Sequence, residues 1–196
     1  MATYPVFSVG EVLTADDMNA VGLWKITNCT VTSVGGTAAT ASNGVITIGA
    51  GNTSVTVSSA FSSDYDNYRI IFSNMTSNVT SSIQVQLSAS TGTTYQMYGY
   101  YGAFGSAAIN GYGPAATAQW NDVLTTNTVQ AGGELVLFHP QKATATVGFS
   151  YGVSTSDVYH FACRDTSTAQ STGFKLTLPG TNTLQSGTVR VYGFRN

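Results

Sequence analysis

The chain has 196 residues, 42% hydrophobic and 8% charged, with seven Lys and Arg against nine Asp and Glu and a net charge of −2. A disordered polymer pairs low hydrophobicity with high net charge, so this chain is expected to fold, and its length suits one domain burying about 70% of its unfolded surface. Nucleic acid is excluded as a partner, because Lys25, Arg69, Lys142, Arg164, Lys175, Arg190 and Arg195 are scattered along the sequence and form no basic run to neutralise phosphates.

Met1–Gly10 has neither a basic leader nor an apolar stretch, so no signal peptide is expected. No run approaches the roughly 18 apolar residues of a membrane span, so no membrane insertion is expected. The segment reads as an extended arm. A helix start follows it. Thr14 is placed to cap the helix, Asp17 completes an [ST]-x-x-[DE] capping box, and Leu13 and Met18 occupy the two positions of a hydrophobic staple. Gly22 and the β-type run LWKIT end the helix early. A helix this short is not stable alone and needs a surface to pack on.

From Trp24 the signals are those of strands: 24–33, 44–49, 53–60, 67–74, 81–89, 94–103, 133–139, 143–153, 157–164, 172–178 and 186–194. SIQVQLS, FKLTL and TVRVYG alternate apolar and polar residues, which suits antiparallel sheets with one face on a core and one in water. Clusters such as SNG, GAGN, STGT and LPGTN punctuate them. Residues 99–131 read as a long excursion between strands. The expected fold is all-β: an antiparallel, jelly-roll-like β-sandwich head over 23–196, preceded by a short extended arm and helix over 1–22.

No catalytic site assembles. There is no phosphate loop, dinucleotide fingerprint, nucleophile elbow or HExxH. His160 and Cys163 are three apart on one strand, which puts them on opposite faces. Asp64 and Asp66 in SDYDN read as an Asp-rich turn, with no metal or other cofactor expected. Cys29 and Cys163, far apart in sequence, read as two free thiols, with a disulfide between them as the alternative. The chain is expected not to be an enzyme.

Aromatic surface is what the sequence does offer. Eleven Tyr, nine Phe and two Trp are present, and Tyr95, Tyr98, Tyr100, Tyr101 and Tyr112 cluster within residues 95–112. Tyrosines among small polar residues suit recognition surfaces, because they supply rigid amphipathic area, and sugar faces stack well on such rings. The alternative is that they line the core or an oligomer interface.

Three stretches, VFSVGEVLTADDMNAVGLW, FSSDYDNYRIIFSN and the terminal GTVRVYGFRN, resemble blocks of bacteriophage tail and fibre-associated proteins. They follow the patterns G-x-V-L-T-A-x-x-M-N, F-x-S-x-Y-D-N-Y-R and G-T-V-R-V-Y-G-Y-R-N, with Phe194 where Tyr is commoner. The resemblance implies a homotrimeric virion protein with a β-sandwich head, assembled in the host cytoplasm. The chain has neither the heptads nor the β-helix repeats of a fibre shaft. The expectation is a short tail fibre or receptor-binding head. Val12, Leu13, Met18 and Trp24 would serve attachment to tail or baseplate and trimer contacts. Tyr98, Tyr100, Tyr101, Tyr112 and Trp120 would meet the host surface, a glycan above all. The alternative is a capsid decoration (cement) protein whose arm lies across the major capsid protein.

Overall fold

The computed structural model describes residues 22–113 and 116–194. Val12, Leu13 and Met18, with the expected arm and helix, lie outside them. The described residues form fifteen strands and no helix. In chain order these are β1 (Trp24–Lys25), β2 (Thr30–Val34), β3 (Thr40–Ser42), β4 (Val45–Thr47), β5 (Ser54–Ser58), β6 (Asn67–Ser77) and β7 (Ser81–Leu87). They continue with β8 (Tyr95–Ala103), β9 (Asn110–Tyr112), β10 (Trp120–Thr126), β11 (Ala131–Phe138), β12 (Thr146–Ser154), β13 (Asp157–Asp165), β14 (Phe174–Thr177) and β15 (Leu184–Phe194).

All pairings are antiparallel, and the fold is a two-sheet sandwich. The larger sheet runs β3-β4-β15-β6-β11-β12-β13-β8-β9, with β1 also on β15; the smaller runs β10-β7-β14-β5-β2. Four pairs nest inside one another along the chain: β4 with β15, β5 with β14, β6 with β11 and β7 with β10. That nesting is a long hairpin rolled over two sheets, the topology of a jelly roll. Two hairpins are inserted into it. β8–β9 lies between β7 and β10, and β12–β13 between β11 and β14. Both join the larger sheet beside β11 and extend it as a wing.

Alternation puts Tyr68, Ile70 and Phe72 of β6, Leu135 and Leu137 of β11, and Val189 and Val191 of β15 on the inner face, all 2% exposed or less. They meet Ile83, Val85 and Leu87 of β7 and Phe174 and Leu176 of β14, equally buried. Each such side chain contributes about 1.5–3 kcal/mol by leaving water. Tyr68 keeps its hydroxyl satisfied by donating to the Ser62 carbonyl at 2.8 Å.

Three elements differ from the sequence reading. The span 24–33 is divided: β1 pairs with β15 in the larger sheet and β2 with β5 in the smaller. The short edge strand β3, pairing with β4, was not foreseen. Residues 99–131 are not one excursion, because they contain β9 and β10. In β10 the register shifts between Trp120 and Leu124, which face Val85 and Ile83 of β7. That irregularity breaks the period-2 pattern on which strand recognition depends.

The two outer faces also differ. The smaller sheet is polar outside, with Gln84 donating to Asn121 at 3.3 Å. The larger sheet is not. Register aligns Tyr100, His160, Tyr151 and Glu134 in one outer row, and Tyr98, Ala162, Phe149 and Val136 in the next. Alternation in β12 therefore does not separate apolar from polar, since Val147, Phe149, Tyr151 and Val153 all face outward.

Candidate functional site

The inner face of the wing extends past the β10 edge of the smaller sheet, and a cleft of about 290 Å³ opens there. Tyr101 of β8 stacks on Tyr159 of β13, ring centroids 6.4 Å apart and planes 26° apart. Tyr159 stacks in turn on Phe161 at 6.4 Å, and Tyr112 of β9 meets Phe161 edge-on at 5.6 Å. Tyr159 and Phe161 are nearly buried and form the floor, while Tyr101 stands at 36% exposure. The opposing wall supplies Ser82, Asp122 and Thr125, and Asp157 sits at the start of β13.

The strands explain this placement. Residues two apart on β13 point the same way, which aligns Asp157, Tyr159 and Phe161. Gly99 lies opposite Phe161 in β8. A Cβ there would run into the His160 carbonyl and the Phe161 ring. Its absence lets that ring lie against the neighbouring strand, where it meets Tyr112.

Burial raises the Tyr112 hydroxyl above its ordinary range, and its hydrogen bond to Asp122 adds to the shift. Burial likewise raises Tyr159, which bonds Thr125, Ser154 and Asp157. Both phenols are therefore protonated at neutral pH and can donate to the carboxylates beside them. The Ser156 hydroxyl also donates to Asp157. The cleft joins ring faces, hydroxyls and two carboxylates, with no Lys or Arg among its lining residues. Such a surface suits an uncharged polyhydroxylated ring, whose C–H face stacks and whose hydroxyls donate to carboxylate oxygens. No group of three or more His, Cys, Asp or Glu side chains among the described residues could hold a metal ion.

The expected host-contact residues separate into three environments. Tyr101 and Tyr112 line the cleft. Tyr98 and Tyr100 are exposed (77% and 49%) on the opposite, outer face of β8, and Tyr100 packs edge-on against His160 at 5.5 Å. Trp120 is a correction. It is fully buried, T-shaped against Tyr95 at 5.2 Å, and its indole N–H donates to the Arg164 carbonyl at 3.0 Å, so it is core and not contact surface. Trp24 is half-buried in β1, opposite Gly193 of β15.

Sequence reasoning missed Asp122, Asp157, Tyr159 and Phe161. Asp157, Tyr159 and Phe161 stand at alternate positions of DVYHF, and that spacing was the available signal. His160 and Cys163 do fall on opposite faces, exposed and buried respectively. Asp66 pairs with Lys142 at 2.9 Å, and Asp64 accepts from the Ser62 hydroxyl at 3.0 Å. Both cysteines are buried and free, with burial raising Cys29 to about 11 and Cys163 to about 12.

The described parts of the three resembling sequence blocks lie on adjoining strands: the second ends in β6, residues 187–194 of the third lie in β15, and Trp24, the last residue of the first, lies in β1. β15 pairs with both others, with Arg69 opposite Tyr192 and Trp24 opposite Gly193. Tyr65 of the second block lies on Gly193 of the third, where a Cβ would overlap its ring. No protein-family model matches the chain, and no curated protein or solved structure is significantly similar to it.

Proposed function

We propose that the chain is a bacteriophage virion protein, a homotrimeric short tail fibre or receptor-binding head that joins the particle through residues 1–22 and holds a host-surface glycan in the wing cleft. The observation that carries the glycan part is the cleft itself: stacked Tyr101, Tyr159 and Phe161 beside Tyr112, facing Asp122 and Asp157. The virion part is supported by the three resembling blocks, whose described residues adjoin one another in the jelly roll, apart from the inserted wing. A scaffold of one kind bearing a binding site on its insertions accords with a displayed head. The carboxylates already serve the phenols and Ser156, which favours binding over catalysis. They also favour neutral or amino sugars over acidic ones, which they would repel.

The test is binding of the purified protein to an array of bacterial surface polysaccharides and to host cells. Tyr101→Ala should weaken neutral-glycan binding about tenfold, ~1.4 kcal/mol, with little loss of stability. Tyr98→Ala, on the other face, should leave glycan affinity unchanged. Failure of every neutral or amino sugar to bind removes the glycan assignment. Imaging of labelled protein on the capsid shell, with fragile particles in its absence, would replace the fibre reading with the cement reading.

A further inference from the structure

The outer face of the larger sheet is the least explained surface of the molecule. Exposed Tyr98, Tyr100, Val147, Tyr151 and Val153 spread over β8 and β12. Contiguous apolar area of this kind on a folded protein marks a surface that something covers. Toward β15 the face deepens into a groove of about 550 Å³ over Val136, Phe138, Phe149 and Phe194. Gly22 and Leu23, the first described residues, stand at its rim.

Charge is gathered here as well. Arg69 lines the groove in an ion pair with Glu134. Register puts Arg190 opposite Ile71, Arg164 opposite Val147 and Lys25 opposite Tyr192, all with outward parity. Four of the seven cations thus share one face, and among the described residues Glu134 is the one carboxylate that register places there. Residues 1–21 are the complement. They contain Glu11, Asp16 and Asp17 with no Lys or Arg, and the apolar Val6, Phe7, Val9, Val12 and Leu13.

We propose that in the free protein residues 1–21 of the same chain dock along this groove, laying apolar side chains on Val136, Phe138 and Phe149 and carboxylates near Arg69, Arg190 and Lys25. Reach is no obstacle. Twenty-one residues extend up to about 70 Å, whereas the five strand spacings from β15 to β8 span about 24 Å. Attachment at the rim gives the arm a high effective concentration over its own sheet, on the order of millimolar for a short tether. The inference stands apart from the glycan cleft, which lies on the other side of the sheet.

The test uses the full chain with Val9→Cys carrying a nitroxide; Cys29 and Cys163, being buried, remain unlabelled. Labelled chain is mixed with unlabelled chain, each isotope-marked in turn, and amide signals are read in both. Loss of the Val136 and Phe149 signals in the labelled chain, with Gln84 and Lys175 of the opposite sheet unaffected, supports the proposal. The combined E11K, D16K and D17K variant should restore those signals. Loss confined to the unlabelled chain would assign the groove to a neighbour's arm and overturn docking within one chain. No loss in either chain overturns docking altogether, and persistence of the loss in the charge-reversed variant overturns the electrostatic complement.

Discussion

Trp120 and Tyr101 are both aromatic residues of a Gly- and Tyr-rich stretch, yet their surroundings give them opposite roles. Trp120 fills the core against Tyr95 and anchors the wing by donating to the Arg164 carbonyl of β13. Trp120→Ala should cost about 3–5 kcal/mol of stability in denaturant melts, the usual range for deleting a large buried aromatic. Trp120→Phe should cost less, about 1–3 kcal/mol, because most of the buried ring is kept and the indole hydrogen bond to that carbonyl is lost. Tyr98→Ala and Tyr100→Ala should stay within about 0.5 kcal/mol of the parent, because both side chains are largely exposed. Nothing in the local sequence separates these cases. A tyrosine or tryptophan has the same β propensity whether its strand turns it inward or outward, and the facing depends on register.

At the scale of elements, the adjoining strands β1, β15 and β6 form the part of the fold in which distant sequence blocks meet. Their junction is the Tyr65 ring lying on Gly193. Gly193→Val should displace that ring and destabilise the protein by about 1–3 kcal/mol, the usual cost of overpacking. In a Tyr65→Ala background the same substitution should cost clearly less, and a double-mutant cycle measures the difference. Equal cost in both backgrounds would show that the contact does not matter. β7, β14 and β15 were legible because each alternates cleanly and ends in turn residues. β9 and β10 were not, since β9 is three residues long and β10 carries a register shift that mixes its two faces.

For the whole molecule, buried acids set the response to alkali. Burial raises Cys29 from 9.0 to about 11, Cys163 from 9.0 to about 12 and Tyr95 from 10.0 to about 12, and it raises Tyr68, Tyr112 and Tyr159 in the same direction. In each case the folded state holds its proton more tightly than the unfolded chain. The stability they contribute is therefore complete below pH 9 and is lost as pH rises through 9 to 12. Thermal melts should show a midpoint that falls steadily above pH 9, with thiol modification at pH 8 appearing only as the protein unfolds. Rapid modification of either cysteine in the native state at pH 8 would contradict the burial assigned to them.

Composition and alternation alone determined that the chain is an antiparallel β-sandwich, because period-2 patterning in SIQVQLS, FKLTL and TVRVYG is a local property written residue by residue. They also located the tyrosine-rich stretch from which Tyr101 and Tyr112 enter the cleft. Only the tertiary structure decided that β8–β9 and β12–β13 join into one wing, that Asp122 and Asp157 face the same rings, and that Trp120 is core. The same holds for the apolar outer face and for the cations gathered on it, which are spread from Lys25 to Arg190 in sequence. Cross-strand register brings such residues together, and register is fixed by pairings between distant segments that no short window of sequence contains.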